Sequence, residues 1–442
     1  MSLVELFAKV PRFFLALFSP KYLNDAIIAY GLDQVAETMD LAVNVMGGLR
    51  PISTFLSHPA FSIDTILRLF SSPKLDTTTV GNILKFMYFD LEKIERVRDI
   101  VRNVFTSSLF TADKTQAIMY KLAEHGMYDV LLDAITYDAP SASITTSTTL
   151  TTGVSVYRDL SISSGVTLTL GQAPCVLIAK KIMNYGVITT DQIKGAGGAG
   201  AYGAGSGGGG AHGIIIMADE LRTGTIRANG SNGTAATGVT GNAGGAAGGA
   251  GFFWEIGTYK AGNGGNGGAS GGAGRYNGGG GGGASTYVGG AGGRATSLSF
   301  PDARSLLTEL FKAMIDWALV NLASKTPSTT KNFPDLGGSG GGAGSSHSSS
   351  GQSGGGGGGG GGQVVLFGNV LNAGRVEARG GAGANGYGSD SGAGGGGGGG
   401  IVYAIYKTLN GSFVFDVAGG AAGTSAVAGT AGSAGSAVTF QI

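Results

Sequence analysis

GGGGGGGGGQVVLFGNVLNAGRVEARG, residues 354–380, joins an unbroken glycine run to a short apolar cluster and then to a small-residue turn that leads back into glycine. Glycine loses more conformational freedom on folding than any other residue. A run of it has no side chain to bury, so its order must come from main-chain pairing. An α-helix of glycine is disfavoured by about 1 kcal/mol per residue against alanine. The polyproline II conformation instead leaves its N–H and C=O groups pointing outward, where neighbouring chains can pair with them. Collagen needs glycine only at every third position, and unbroken runs with little proline exclude it. The composition therefore predicts packed polyglycine II helices, with a nine-residue run spanning about 28 Å at roughly 3.1 Å per residue.

The same pattern appears in IIIMADELRTGTIRANG, residues 214–230. Apolar clusters begin at Val176, Ile214, Phe252, Val364 and Ile401, and adjacent ones start 37 or 38 residues apart. The wider gap from Phe252 to Val364 contains a glycine-free insertion, 301–336, and without it two further periods fit. A fixed period of this length predicts a repeat architecture. Only nine of the 87 glycines precede residue 195.

Residues 1–140 read as a helical attachment or assembly domain. Leu3, Leu6, Phe7, Val10, Phe14, Leu17 and Phe18 recur at helical spacing, with Pro11 as a kink and Pro20 as a stop. The few charges on that helix favour docking into a protein over lying on a membrane. Further helices are predicted at roughly 21–47, 62–71, 79–105 and 111–135, the last broken by Gly126. Leu84, Met87, Leu91, Ile94, Val97, Val101 and Val104 form the longest stripe. It suits an internal bundle face, or a short coiled coil in which Arg98 falls on a core position. The candidate assembly residues are Leu3, Phe7, Val10, Phe14, Leu84, Leu91, Ile94 and Val101. Residues 141–194 are rich in Thr, Ser and Val and read as a β connector. Residues 195–442 form the glycine-rich part, and Leu306 to Leu322 within the insertion mark an amphipathic helix. The fold class is thus multidomain: an α-helical N-terminal bundle, a short β connector, and a glycine-rich repeat domain of β-strands and packed polyglycine II helices with one inserted α-helix.

Little in the chain asks for catalysis. The net charge of +1 gives no electrostatic case for nucleic acid. One cysteine, Cys175, excludes an intrachain disulfide and reads as a buried thiol. Glu5, Lys9 and Arg12 interrupt the first apolar run, so no secretory signal is expected; lysis or packaging in a virus particle would bring the chain outside. Gly195–Gly200 matches G-x-G-x-x-G, as chance would produce in so glycine-rich a segment. His58, His125, His212 and His347 lack metal-ligand spacing, and no P-loop, nucleophile elbow or carboxylate motif is present. Neither an enzyme nor a cofactor is expected. Asn229, Asn232 and Asn410 stand in glycosylation sequons, but Asn-Gly reads more readily as a turn.

Alternating glycine runs, strand clusters and the N-x-G-x-I pattern resemble the tip adhesins of tailed phages and, more widely, glycine-rich viral tail-fibre domains. The resemblance covers about residues 150–442 and does not extend to the helical part. It implies a non-enzymatic virion tail-fibre or spike protein, acting at the host surface. Residues 1–135 would bind other virion proteins, and the glycine-rich scaffold would present loops to a host-surface glycan or protein. Homotrimers are one expected assembly. Aromatics isolated among glycines supply contact area at low entropy cost, which makes Tyr202, Tyr259, Tyr276, Tyr287 and Tyr387, with His212 and His347, the candidate receptor residues. The alternatives are a structural subunit of a virion or appendage and, further off, an ice-binding protein.

Overall fold

The computed structural model describes residues 31–45, 47–171, 175–190, 205–237, 353–388 and 391–441, with a few isolated residues besides. They fall into two units, one ending at Asp138 and one beginning at Ala139.

The first unit contains seven helices among its described residues: α1 Leu32–Val45, α2 Leu49–Leu56, α3 Ile63–Ser71, α4 Thr77–Phe89, α5 Ile94–Thr106, α6 Ala112–Glu124 and α7 Tyr128–Thr136. Ser62, Asp76 and Thr111 cap α3, α4 and α6 by accepting from Thr65 N, Thr78 N and Lys114 N. Each helix packs on the second one along: α1 on α3, α2 on α4, α3 on α5, α4 on α6, α5 on α7. The result is a two-layer stack, odd helices in one layer and even in the other, and not a bundle of long helices around one axis. Helices of 8–14 residues are too short for such a bundle and stack as successive pairs instead.

The expected helix 79–105 is broken at Asp90–Lys93, where Glu92 takes φ 52°. Leu91 N donates to Phe86 O (3.1 Å) and Lys93 N to Met87 O (2.9 Å), which closes α4. The apolar stripe survives the break because α4 and α5 fold onto one another. Leu84 and Met87 are buried from α4, and Val97, Val101 and Val104 from α5. Leu91 is half-buried and Ile94 exposed at the turn. Two salt-bridged pairs tie α5 to α7: Arg98 to Asp129 (3.2 Å) and Arg102 to Asp133.

The second unit winds two sheets, strand by strand. Odd strands β1 Ala142–Ile144, β3 Val154–Ile162, β5 Val176–Asn184, β7 Ile214–Arg222, β9 Gln363–Asn372, β11 Ile401–Asn410 and β13 Ser436–Gln441 form a seven-stranded sheet in that order. Even strands β2 Thr148–Leu150, β4 Thr167–Leu170, β6 Val187–Thr189, β8 Thr225–Arg227, β10 Arg375–Glu377 and β12 Val414–Asp416 form a six-stranded sheet. Every pairing in both is parallel. Leu177, Ile216, Leu366 and Val402 from one sheet meet Leu168, Ile188, Ile226 and Val376 from the other in a single core. Ile178, Met217, Phe367 and Ile405, on the opposite face of the larger sheet, are buried too. Burial on both faces explains runs such as IIIM and VVLF without alternation.

The N-x-G-x-I pattern is the corner between the sheets. Asn184 is fully buried, donating to Thr223 O (2.7 Å) and accepting from Gly186 N (3.0 Å). A Cβ on Gly186 would lie 2.1 Å from Val166 O, and one on Gly374 would lie 2.3 Å from Gly224 O, so the stacked corners admit no side chain there.

Glycine runs connect the smaller sheet back to the larger. Run 378–386 leaves β10 and pairs antiparallel with returning run 391–400, through Gly394 N to Ala384 O (2.8 Å), Gly397 N to Gly381 O (2.9 Å) and Gly400 N to Ala378 O (2.6 Å). Bonding repeats every third residue. In run 354–362, Gly355, Gly358 and Gly361 donate to Gly392, Gly395 and Gly398, while Gly356, Gly359 and Gly362 donate to Thr234, Ser231 and Ala228. The carbonyls of Gly354, Gly357 and Gly360 accept from Gly205, Gly208 and Ala211. All nine residues of this run are buried. In the outermost run, 426–435, glycine stands only at 429, 432 and 435, where a Cβ would come 2.4, 2.0 and 1.7 Å from the carbonyl oxygens of Gly394, Gly397 and Gly400. Ala428, Ala431 and Ala434 lie on its exposed side.

Two parallel sheets thus overturn the expected sequence of helical bundle, short β connector and polyglycine II repeat domain. The supposed connector supplies β1 to β6, the first strands of both sheets. The repeat count changes as well: β7 pairs directly with β9, Ile214 opposite Val364, which leaves no place between them for the strand expected at Phe252. Phe253–Trp254 pairs instead with Ser297–Leu298. Glycine content dominated the composition, but pairing of the apolar strands sets the architecture. The insertion 301–336 and its expected helix lie outside the described residues.

Candidate functional site

The glycine runs turn at a common edge, opposite their junctions with the strands. Residues 234–237, 353, 385–388, 391 and 424–427 meet there. Ala236 N donates to Asn385 O (3.1 Å), and the Asn385 carboxamide oxygen accepts from Thr424 N (2.7 Å) and Thr424 Oγ1 (3.0 Å). Ser425 Oγ donates to Ser391 O (2.8 Å), and Ser391 Oγ donates to Gly388 O (3.0 Å). Tyr387 exchanges both main-chain bonds with Ser353, at 3.0 and 2.8 Å, while 45% of the residue stays exposed. Runs 228–237 and 353–362 pair antiparallel, so the chain leaves and re-enters at this same edge.

No charged residue occurs in 205–213, 228–237, 353–362, 380–388, 391–400 or 417–435. Charge among the described residues of this unit sits on the strands or close beside them, as at Arg379. Lys181 meets Glu220 (2.8 Å), and Glu377 is clasped by Arg375 (2.5 Å), Arg227 (3.1 Å) and Asn229 Nδ2 (3.1 Å). Burial pushes the Glu377 carboxyl up, but its bonds to Arg375 and Asn229 and the charge of Arg227 hold it below the usual carboxylate range. Cys175 is buried, and burial pushes its thiol up to about 12.

The seven candidate receptor residues do not converge among what the structure describes. Tyr387 lies at the exposed edge. His212 is buried at the opposite end, where Thr190 Oγ1 donates to its carbonyl (3.1 Å), and is not presented to solvent. Tyr276 and His347 belong to a short antiparallel pair, Arg275–Tyr276 with Ser346–His347. Tyr202, Tyr259 and Tyr287 lie outside the described residues, as do the assembly candidates Leu3, Phe7, Val10 and Phe14. Leu84 and Val101 belong to the helical core.

Asparagines are the residues that sequence reasoning misread. The carboxamide oxygens of Asn229 and Asn232 accept from Arg379 N and Ala382 N, both at 2.8 Å, across to the neighbouring run. Neither is in a turn; Asn410 ends strand β11, directly before Gly411 at φ 83°. Their three-residue spacing, 229 and 232, was the available signal, since it matches the period of the lateral bonds.

Among the described residues, no group of three or more His, Cys, Asp or Glu is placed to hold a metal ion, and no helix is long and apolar enough to cross a membrane. An open cavity of about 340 Å³ in the helical unit, lined by Thr77, Asp113, Ala117, Tyr120, Lys121 and Glu124, has its lysine paired to Glu124 at 2.8 Å. Compared with family models, curated proteins and solved structures, the chain matches none of them.

Proposed function

We propose that this chain is a non-enzymatic tail-fibre or spike protein of a virion, attached through its helical N-terminal part and displaying host-receptor-binding loops at the distal edge of its glycine runs. Other virion proteins are the partners of residues 1–135, and a host-surface glycan or protein is the partner of the edge. The carrying observation is Tyr387, an exposed residue whose main chain is held by two bonds to Ser353 at the margin of a laterally bonded array. Binding residues belong on such loops, where a rigid support has already met the ordering cost. Most of the array's lateral bonds run from backbone to backbone, and the Tyr387 side chain is not needed for those that hold its own main chain.

The test is adsorption of the purified chain to a panel of bacterial and archaeal cells, with Tyr387→Ala alone and combined with substitutions of Tyr202, Tyr259, Tyr276 and Tyr287 in pairs. Weakened adsorption with unchanged thermal unfolding supports the proposal. Wild-type adsorption in every variant removes the receptor site. A structural subunit without receptor binding is the alternative; imaging of a particle separates the two, since few copies at a tip favour an adhesin and a lattice of many copies favours a subunit.

A further inference from the structure

We propose that Asn410 is a site of spontaneous deamidation in the folded protein, and that the glycine array protects Asn229 and Asn232 from the same reaction. Among the described residues, asparagine precedes glycine at 229, 232, 385 and 410. In such a pair the glycine main-chain nitrogen attacks the asparagine side-chain carbon Cγ. A new N–Cγ bond closes a five-membered succinimide, the Cγ–Nδ2 bond breaks, and Nδ2 departs as ammonia with the proton from the glycine nitrogen. Water then opens the ring at either carbonyl, giving aspartate or isoaspartate. No other reactant is required.

The fold treats the four pairs differently. Gly230 N donates to Arg379 O (2.8 Å) while the Asn229 carboxamide accepts from Arg379 N (2.8 Å). Gly233 N and Asn232 grip Ala382 in the same way, at 2.8 Å each. Nucleophile and electrophile are thus clamped to one residue of the adjacent run, and both bonds must open before attack. At Asn385 the carboxamide is held by Thr424 and the carbonyl by Ala236 N (3.1 Å). At Asn410 the residue is exposed, the Gly411 N–H carries no hydrogen bond, and a single bond from Asn410 Nδ2 to Asn372 Oδ1 (3.0 Å) restrains the side chain. Gly411 adds no side chain to shield it.

Isoaspartate at 410 lengthens the main chain by one methylene at the corner between β11 and β12 and removes the amide that bonds Asn372. Either product adds a negative charge there.

The full chain, folded and in urea, is incubated in mildly alkaline buffer and followed by peptide mapping with mass detection, with Asn410→Gln to assign the peptide. In urea all four sites react at similar rates. In the folded chain Asn410 keeps close to its unfolded rate, and Asn229 and Asn232 slow by about tenfold or more, as closure of a locally bonded segment requires. Asn385 falls between. Reaction of folded Asn229 or Asn232 at the rate of Asn410, or protection of Asn410 to their level, overturns the proposal.

Discussion

Gly397→Ala tests whether the glycine runs owe their order to close lateral contact. A Cβ at this position would sit 2.1 Å from Gly359 O and 2.5 Å from Gly359 C, both main-chain atoms that no side-chain rotation can move. The runs would have to separate by more than 1 Å to restore an ordinary carbon–oxygen contact. That displacement strains Gly397 N to Gly381 O (2.9 Å) and Gly420 N to Gly397 O (2.7 Å). Two lost bonds cost about 2 kcal/mol, and forcing an extra carbon into a close-packed site costs about 1–3 kcal/mol more. Alanine offsets about 0.4–1 kcal/mol by restricting the unfolded chain. The net is a loss of roughly 2–4 kcal/mol. Ala431→Ser, on the exposed side of the outermost run, is the matched control and should stay within about 0.5 kcal/mol. Calorimetry of the full chain reads both, with the transition of the second unit followed separately because two units need not melt together. A drop of several degrees for Gly397→Ala beside an unchanged Ala431→Ser is expected. If Gly397→Ala melts with the wild type, the packing argument is wrong.

Other outcomes follow from individual contacts. Tyr387→Ala should leave unfolding unchanged, because its fixing bonds are main-chain, and should lower cell adsorption if the edge is the receptor site. The folded Glu377 carboxyl lies below its usual value, so its contribution to stability is present above the unfolded value and is lost as pH falls through the folded one; acid titration should show Glu377→Gln losing less stability than wild type over that window. Gly81→Ala would bring a methyl carbon within 2.6 Å of Lys121 Cβ where α4 crosses α6, and should destabilise the helical unit by about 1–3 kcal/mol in urea unfolding. Glu92→Gly relieves the φ 52° turn between α4 and α5 and should stabilise that unit by up to about 1 kcal/mol.

Apolar clusters at Ile214, Val364 and Ile401 could be placed as strands from the sequence alone, because a buried strand needs little more than a bounded apolar run. Their partners could not. β7 reaches past more than a hundred residues to pair with β9, and a regular spacing of clusters argued for intervening strands that the pairing excludes. The TTL, TLTL and VIT segments are too short and too polar to announce a second sheet, so the first six strands read as a connector. The helical stripe from Leu84 to Val104 carried the right buried residues except Leu91 and Ile94 at the break, and the wrong shape. Periodicity records which side chains face a core; it does not record whether one helix or two supply them. The exposed candidate at Tyr387 was legible as an aromatic among glycines, whereas burial of His212 depends on strands distant in sequence.

Glycine purity along a run carries information that composition as a whole conceals. A threefold extended chain has three faces, and each face in contact with another main chain excludes a Cβ. Run 354–362 is glycine at every position and is buried throughout. Run 426–435 has glycine only where it faces run 394–400, with alanine, valine, serine and threonine elsewhere. Run 228–237 behaves likewise: a Cβ on Gly230 or Gly233 would lie 2.1 or 2.2 Å from the carbonyl oxygen of Gly359 or Gly356, while exposed Asn232 and Thr234 reach sideways to bond neighbours. Glycine therefore marks the positions at which a run comes closest to another main chain. Substitutions confined to exposed positions whose side chains make no lateral bond, such as Ala431, can alter what the surface displays while leaving lateral bonding in place, and that separation of scaffold from display is the property a receptor-binding surface requires.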